Sequence, residues 1–125
     1  MNLCLSVEQF GQLIGGHPYL VRSALYHLAA GDLSLEEFLR TAPTEAGIYY
    51  NHLLGHLKAL EDHSDLEAAI QKVVASEQPV SLRSAEAFKL DSMGLVVRVD
   101  NNVAPRCLLY KLYFRDRLGD FHASP

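Results

Sequence analysis

Three histidines come nearest, by type and spacing, to a metal-binding arrangement. His52 and His56 stand four residues apart, so one helix face carries both imidazoles, and such a pair can share a zinc ion. A straight continuation of that helix brings His63 to the same face, and Glu45, a turn or so before His52, is a conceivable further ligand. No HExxH pattern accompanies them. The same positions flank an apolar stripe, where an amphipathic imidazole often does no more than pack. Zinc binding is therefore an alternative reading, and no metal is expected.

Thiol chemistry has less to build on. Cys4 and Cys107 are far apart and form no CxxC, which suits two free thiols in a reducing cytoplasm. Cys107 falls where a strand gives way to a helix, and a helix N-terminus can lower a thiol pKa. No Asp or His partner is legible beside it, and no catalytic residue is expected. Arg106, Lys111, Arg115 and Arg117 form a modest basic cluster, offset by Asp116 and Asp120. That pattern reads as a solvated face, or as a contact for an acidic partner. Gly15, Gly16, His17 and Pro18 read as a corner between two helices, the proline opening the second. Two glycines there let the backbone pass close to a ligand.

The elements that must position these groups are punctuated clearly. Ser6 with Gln9, Ser34 with Glu37 and Ser64 with Glu67 each have the spacing of a capping box. They predict helices starting at residues 6, 34 and 64, the first stopping at Gly15. Residues 19–30, with Leu20, Val21, Ala24, Leu25 and Leu28, predict a mostly buried helix ended by Gly31. A longer helix, about 18 residues, is expected over 44–61, with Tyr49, Leu53, Leu57 and Leu60 on one stripe. Leu66, Ala69, Ile70, Val73 and Val74 give the next helix its inner face. Residues 79–82 are short and extended, and 84–93 form one more helix closed by Gly94. Residues 95–99 read as a strand, 100–102 as turn chemistry, and 103–106 as the partner strand with Pro105 on its free edge. A last amphipathic helix over 108–118 carries Tyr110, Phe114 and Leu118. The 119–125 tail is expected to fray. Tyr49, Tyr50, Tyr110, Tyr113 and Phe114 are expected in the core, any left exposed being candidates for an interaction patch.

This is a mainly α (α+β) plan: a helical bundle over 1–63, then a winged-helix-like unit over 64–118 with an antiparallel hairpin as its wing. The helix over 44–61 is expected to be the spine shared by both. With 125 residues, 49 % of them apolar, the chain is globular. A net charge of −4 argues against nucleic acid, which calls for a basic surface. In a DNA-binding winged helix two helices would separate the first strand from the hairpin, and residues 83–94 leave room for one. A winged-helix DNA-binding regulator is thus an alternative only. No apolar run reaches membrane-span length, the first residues lack the pattern of a signal peptide, and a cytoplasmic protein is expected.

Gly15-Gly16-His17-Pro18-Tyr19-Leu20 resembles the glycine-x-proline signature in the helical lid of AAA-like and STAND-type ATPases. Thr44-Glu45-Ala46-Gly47-Ile48-Tyr49, Ser92-Met93-Gly94-Leu95-Val96 and Pro105-Arg106-Cys107-Leu108-Leu109-Tyr110 are similar to stretches of the bacterial, largely cyanobacterial, AAA-like domain family. The resemblance implies a layout of P-loop domain, helical lid and winged helix, of which this chain carries the last two. It also implies that Pro18 packs on the adenine of a bound nucleotide, with Gly15, Gly16 and His17 beside it. A proline ring is rigid and apolar and has no N–H to leave unpaired.

The phosphate-binding half is missing from these residues. No Gly-Lys pair occurs, so there is no G-x-x-x-x-G-K-[ST], and no acidic residue follows a Walker B-type strand. The chain alone is therefore expected to be no enzyme and to bind no cofactor. ATP or ADP would enter only beside a P-loop core, and the chain is either a truncated remnant or a docking piece. The expected partners are that core, an effector protein or a second copy.

Overall fold

The computed structural model describes residues 3–118, with side chains from Glu8 onward. Among them are seven helices: α1 (Leu3–Ile14), α2 (Pro18–Ala30), α3 (Leu35–Thr41), α4 (Tyr50–Glu61), α5 (Ser64–Ala75), α6 (Ser84–Ser92) and α7 (Leu108–Leu118). Between α6 and α7 lies one antiparallel hairpin, β1 (Val96–Val99) and β2 (Asn102–Pro105). The fold is mainly α with a small sheet. The expected tail, 119–125, and the Cys4 side chain lie outside the described residues.

Several starts differ from their sequence signals. Helix α1 already runs at Leu3, so Ser6 lies inside it rather than capping it. His63, in an extended conformation, is the N-cap of α5 and makes no side-chain cap bond, which leaves Ser64 as the first helical residue. Among the described side chains only Ser34 and Glu37 close a capping box: the Glu37 N–H donates to Ser34 Oγ at 3.1 Å and the Ser34 N–H to Glu37 Oε1 at 3.3 Å.

The expected long helix over 44–61 is shorter, because α4 begins at Tyr50. Residues 44–49 make tight turns instead. The Thr44 hydroxyl donates to the Thr41 carbonyl and its oxygen accepts from the Ala46 N–H, offering the backbone partners that a helix would have supplied. Gly47 lets this turn close, since a Cβ there would lie 2.3 Å from the Thr41 carbonyl oxygen. The stripe survives the shortening: Tyr49, Leu53, Leu57 and Leu60 are all buried.

The hairpin turns at Asp100 and Asn101, with Asp100 at φ 57°, a conformation that Asp tolerates better than most residues. Val80, the extended residue before α6, bridges to Val103 with both backbone bonds made, 2.8 and 2.9 Å. By the alternation of the ladder, Pro105 points its nitrogen to the same side as Val103, away from β1, so its missing N–H costs β1 nothing.

One hydrophobic cluster runs from Leu13 and Ile14 in α1 to Phe114 and Leu118 in α7. Its centre is α5, which lies against α4, α6, α7 and β2, whereas the sequence pointed to the 44–61 segment. The expected inner face of α5, Leu66, Ala69, Ile70, Val73 and Val74, is buried throughout. The end of α5 is closed from α7, where the Arg115 guanidinium donates twice to the Val74 carbonyl, at 2.9 and 3.0 Å. Helix α2 is the exception to good burial. Only Leu20 and Ala24 are buried, while Leu25 is 53 % and Tyr26 69 % exposed. Its apolar residues are spread around the helix, and one side alone meets the core.

Candidate functional site

The corner at residues 15–18 is built by two glycines of different necessity. Gly15 and Gly16 both have positive φ, +57° and +73°. Gly15 also has no room for a side chain, because a Cβ there would sit 3.0 Å from Cys107 Cβ and 3.1 Å from the Arg106 carbonyl oxygen. Gly16 has nothing within 4 Å of that position. The backbone approach that the sequence suggested for a ligand is thus made, at Gly15, to the start of α7. The open side is at Gly16.

His17 is the N-cap of α2 and Pro18 its first residue. The fixed φ of proline suits that position, and its absent N–H would have had no partner within the helix. Pro18 is exposed and Tyr19, next to it, is 48 % exposed, so the corner ends in a small apolar face. Below it, the hydroxyl of buried Tyr49 donates to the Leu20 carbonyl at 2.5 Å and ties the first turn of α2 to the core.

Under the corner lies a cluster of rings. The His52 and His56 rings meet edge to face with centroids 4.7 Å apart, and His17 lies 6.2 Å from His52. Tyr110 of α7 touches all three, at 6.0 to 6.1 Å, and Tyr19 sits 4.8 Å from His52. One hydrogen bond joins the set, between His52 Nε2 and Tyr110 Oη at 2.8 Å. His17 Nδ1 is buried with no hydrogen-bond partner. Burial holds all three imidazoles below their ordinary pKa, His52 down to about 4. Nearby positive charge adds to this, from Arg106 at His17 and from the other imidazoles at His52 and His56. Burial likewise raises the Tyr110 phenol.

This arrangement differs from the histidine face that the alternative zinc reading required. Helix α4 ends at Glu61, so His63 is carried away, to an exposed position at the head of α5. Glu45 lies in the 44–49 turns and pairs with Arg117 at 3.1 Å, far from a ligand role beside His52. Among the described residues no group of three or more His, Cys, Asp or Glu side chains could hold a metal ion. His17 and Tyr110 are the members that sequence spacing could not supply. They come from other elements, and their only local signal was membership of the corner and of the inner face of α7.

Cys107 is buried, and burial pushes its thiol pKa up, outweighing the backbone bonds at the start of α7 that pull it down. Three members of the basic cluster, all but Arg106, are spent on internal pairs. Lys111 and Arg115 both reach Glu77, at 3.1 and 3.2 Å, and Arg117 lies over the Tyr113 ring as well as bonding Glu45. An open groove of about 490 Å³ between α5 and the start of α6 is lined by Asp65, Lys72, Arg83 and Glu86 among others. Three of these four charges are engaged, Arg83 with Glu86 at 2.7 Å and Lys72 with the Ser81 carbonyl at 3.0 Å. No helix among the described residues is long and apolar enough to cross a membrane.

A family model described as an AAA-like domain matches residues 3–116. No curated protein and no solved structure matches the chain.

Proposed function

The chain belongs to the AAA-like domain family, and on that premise we propose that it is the lid and winged-helix-like segment of such an ATPase. In this reading it closes over nucleotide held by a separate P-loop core and passes the nucleotide state to an effector. It hydrolyses nothing itself, because these 125 residues contain no cradle for phosphates.

The observation that carries the reading is the corner. Pro18 and Tyr19 offer a small exposed apolar face at the head of α2. Gly15 and the Tyr49 hydrogen bond fix that face to the core. A flat purine could lie against it, but one wall supplies too little contact to bind alone, so affinity needs the core. Ligand contacts made only in the closed arrangement would then bias a two-state equilibrium.

The order α5, extended Val80, α6, hairpin and α7 supports the winged-helix-like description of the second part. It favours a protein contact over DNA. One helix stands between Val80 and β1, and the two nearest arginines are engaged, Arg83 by Glu86 and Arg98 by Asp91 at 3.7 Å. Phosphate contacts dominate DNA affinity, and few cations are left to make them. A cytoplasmic location goes with the same proposal, as the compartment where an ATPase core meets its nucleotide.

The test is thermal unfolding with Mg-ATP, first with the chain alone and then with an AAA-like P-loop core added. The chain alone should keep its melting temperature, since stabilisation by a ligand requires affinity for the folded state. With the core present, ATP should strengthen association of the two, and Pro18→Ala should weaken that gain. Steady ATP turnover by the pure 125-residue chain would overturn the proposal, as would association with the core that ignores nucleotide.

A further inference from the structure

We propose that the cluster of His17, His52, His56 and Tyr110 is a pH-sensitive latch, which holds the 15–18 corner and the first turn of α2 against α4 and α7 while the imidazoles are neutral and releases it when they are protonated. The proposal stands on the packing of these rings and does not depend on the corner meeting a nucleotide.

Four side chains from three places in the chain meet here, and His17 is the one that belongs to the corner. Its ring is in contact range of His52 and Tyr110, and on another side its Nε2 lies 3.8 Å from where a Cβ on Gly94 would be. The groups facing the three imidazoles are the other imidazoles, the phenols of Tyr19 and Tyr110, and the Arg106 guanidinium from the β2–α7 connection. Among the described residues no carboxylate acts on any of them. A proton taken up in this cluster therefore meets cations or neutral rings and no counter-charge, and a second would place two imidazolium rings in edge-to-face contact.

The hydrogen bond responds in the same direction. With His52 Nε2 unprotonated, the Tyr110 hydroxyl donates to it. A proton on Nε2 makes the ring the donor, and the hydroxyl proton of the fully buried Tyr110 must find another acceptor. The buried His17 Nδ1 makes no hydrogen bond in the closed corner, and burial and the Arg106 guanidinium disfavour a proton on that ring more than its own backbone favours one.

The remaining anchors of α2 are few, so the strain has a local outlet. Beyond the cluster, the helix is held by buried Leu20 and Ala24, by half-buried Val21 and Leu28 and by the Tyr49 bond, while Leu25 and Tyr26 face outward. A lightly anchored element opens before the core does. The sign follows from burial. The imidazoles bind protons more weakly in the closed corner than in the open one, where they regain the ordinary value near 6.5. The closed state is therefore at full strength above about pH 6.5 and loses ground as pH falls toward about 4.

Amide hydrogen exchange on the whole chain, expressed as protection factors at pH 7 and pH 5, tests this. Protection across the first turns of α2 should fall about twentyfold from His52 alone, while α5 and α7 change little. The double variant H52Q/H56Q should abolish most of that fall. Should the variant not fold, imidazole NMR titration of the unaltered chain decides the matter, because His52 must titrate well below its ordinary value. Equal protection of α2 at both pH values, an equal loss in α5 and α7, or an ordinary titration of His52 would each refute the latch.

Discussion

Replacing Gly15 and Gly16 one at a time by alanine separates two requirements that a sequence shows as one repeated letter. Both have positive φ, where an L-residue pays about 1–2 kcal/mol. Both also gain about 0.4–1 kcal/mol, because alanine restricts the unfolded chain. For Gly16→Ala nothing else enters, since the new methyl group faces open space, and the net loss is about 0.5–1 kcal/mol. For Gly15→Ala the methyl carbon falls 3.0 Å from Cys107 Cβ and 3.1 Å from the Arg106 carbonyl oxygen. Both are inside comfortable contact, and one of them is backbone that can move only with the β2–α7 connection. Such overpacking adds about 1–3 kcal/mol, for a total near 2–4 kcal/mol. At about 3 °C per kcal/mol for a chain of this size, Gly15→Ala should melt roughly 6–12 °C lower and Gly16→Ala about 2–3 °C lower. Thermal unfolding monitored by circular dichroism measures the melting shifts, and urea unfolding the free energies. Equal losses at the two positions, or a larger loss at Gly16, would show that the corner is not packed on α7 in the way described.

Other substitutions probe the neighbouring supports. Tyr49→Phe removes the hydroxyl bonded to the Leu20 carbonyl and should cost about 1 kcal/mol in urea unfolding, with faster amide exchange in α2 as its signature. Arg115→Ala leaves the Val74 carbonyl without its two donors and should cost about 1–2 kcal/mol, whereas Arg115→Lys should recover only part because it cannot make the paired contact. Glu77 is held below its ordinary pKa by hydrogen bonds from Lys111 and Arg115, so its contribution is complete above about pH 4.5 and lost as pH falls through the lower folded value. Glu77→Gln should therefore make the acid limb of a stability–pH curve shallower without touching the latch region, which a pH series of urea midpoints would detect.

Much of the fold was legible because its signals are local. The buried faces of α4, α5 and α7 follow from apolar spacing, and the hairpin from a valine-rich run and an Asp-Asn turn. The failures share a cause, competition from groups that local patterns ignore. Thr44 satisfies backbone groups with its own hydroxyl, so 44–49 turns instead of extending α4. His63 takes the cap that Ser64 was expected to supply. Helix α2 is apolar in sequence yet exposed, because periodicity reports how oily a helix is and says little about whether a neighbour covers each side. In the candidate site, the 15–18 corner was visible through its glycines and proline. Its support was not, since His52 and Tyr110 stand 58 residues apart and only tertiary packing brings them together.

The position of Gly15 against Arg106 and Cys107 sets an order of events. The corner comes from residues 15–18, but the seat for Gly15 comes from Arg106 and Cys107, at the head of α7. During synthesis the contact under Gly15 therefore cannot form until residues 106 and 107 have emerged, and contacts of such long sequence separation form late. Until then the corner has only its nearer supports, Tyr49 and the imidazoles of α4, and α2 carries its outward leucine and tyrosine on a seat that is half built.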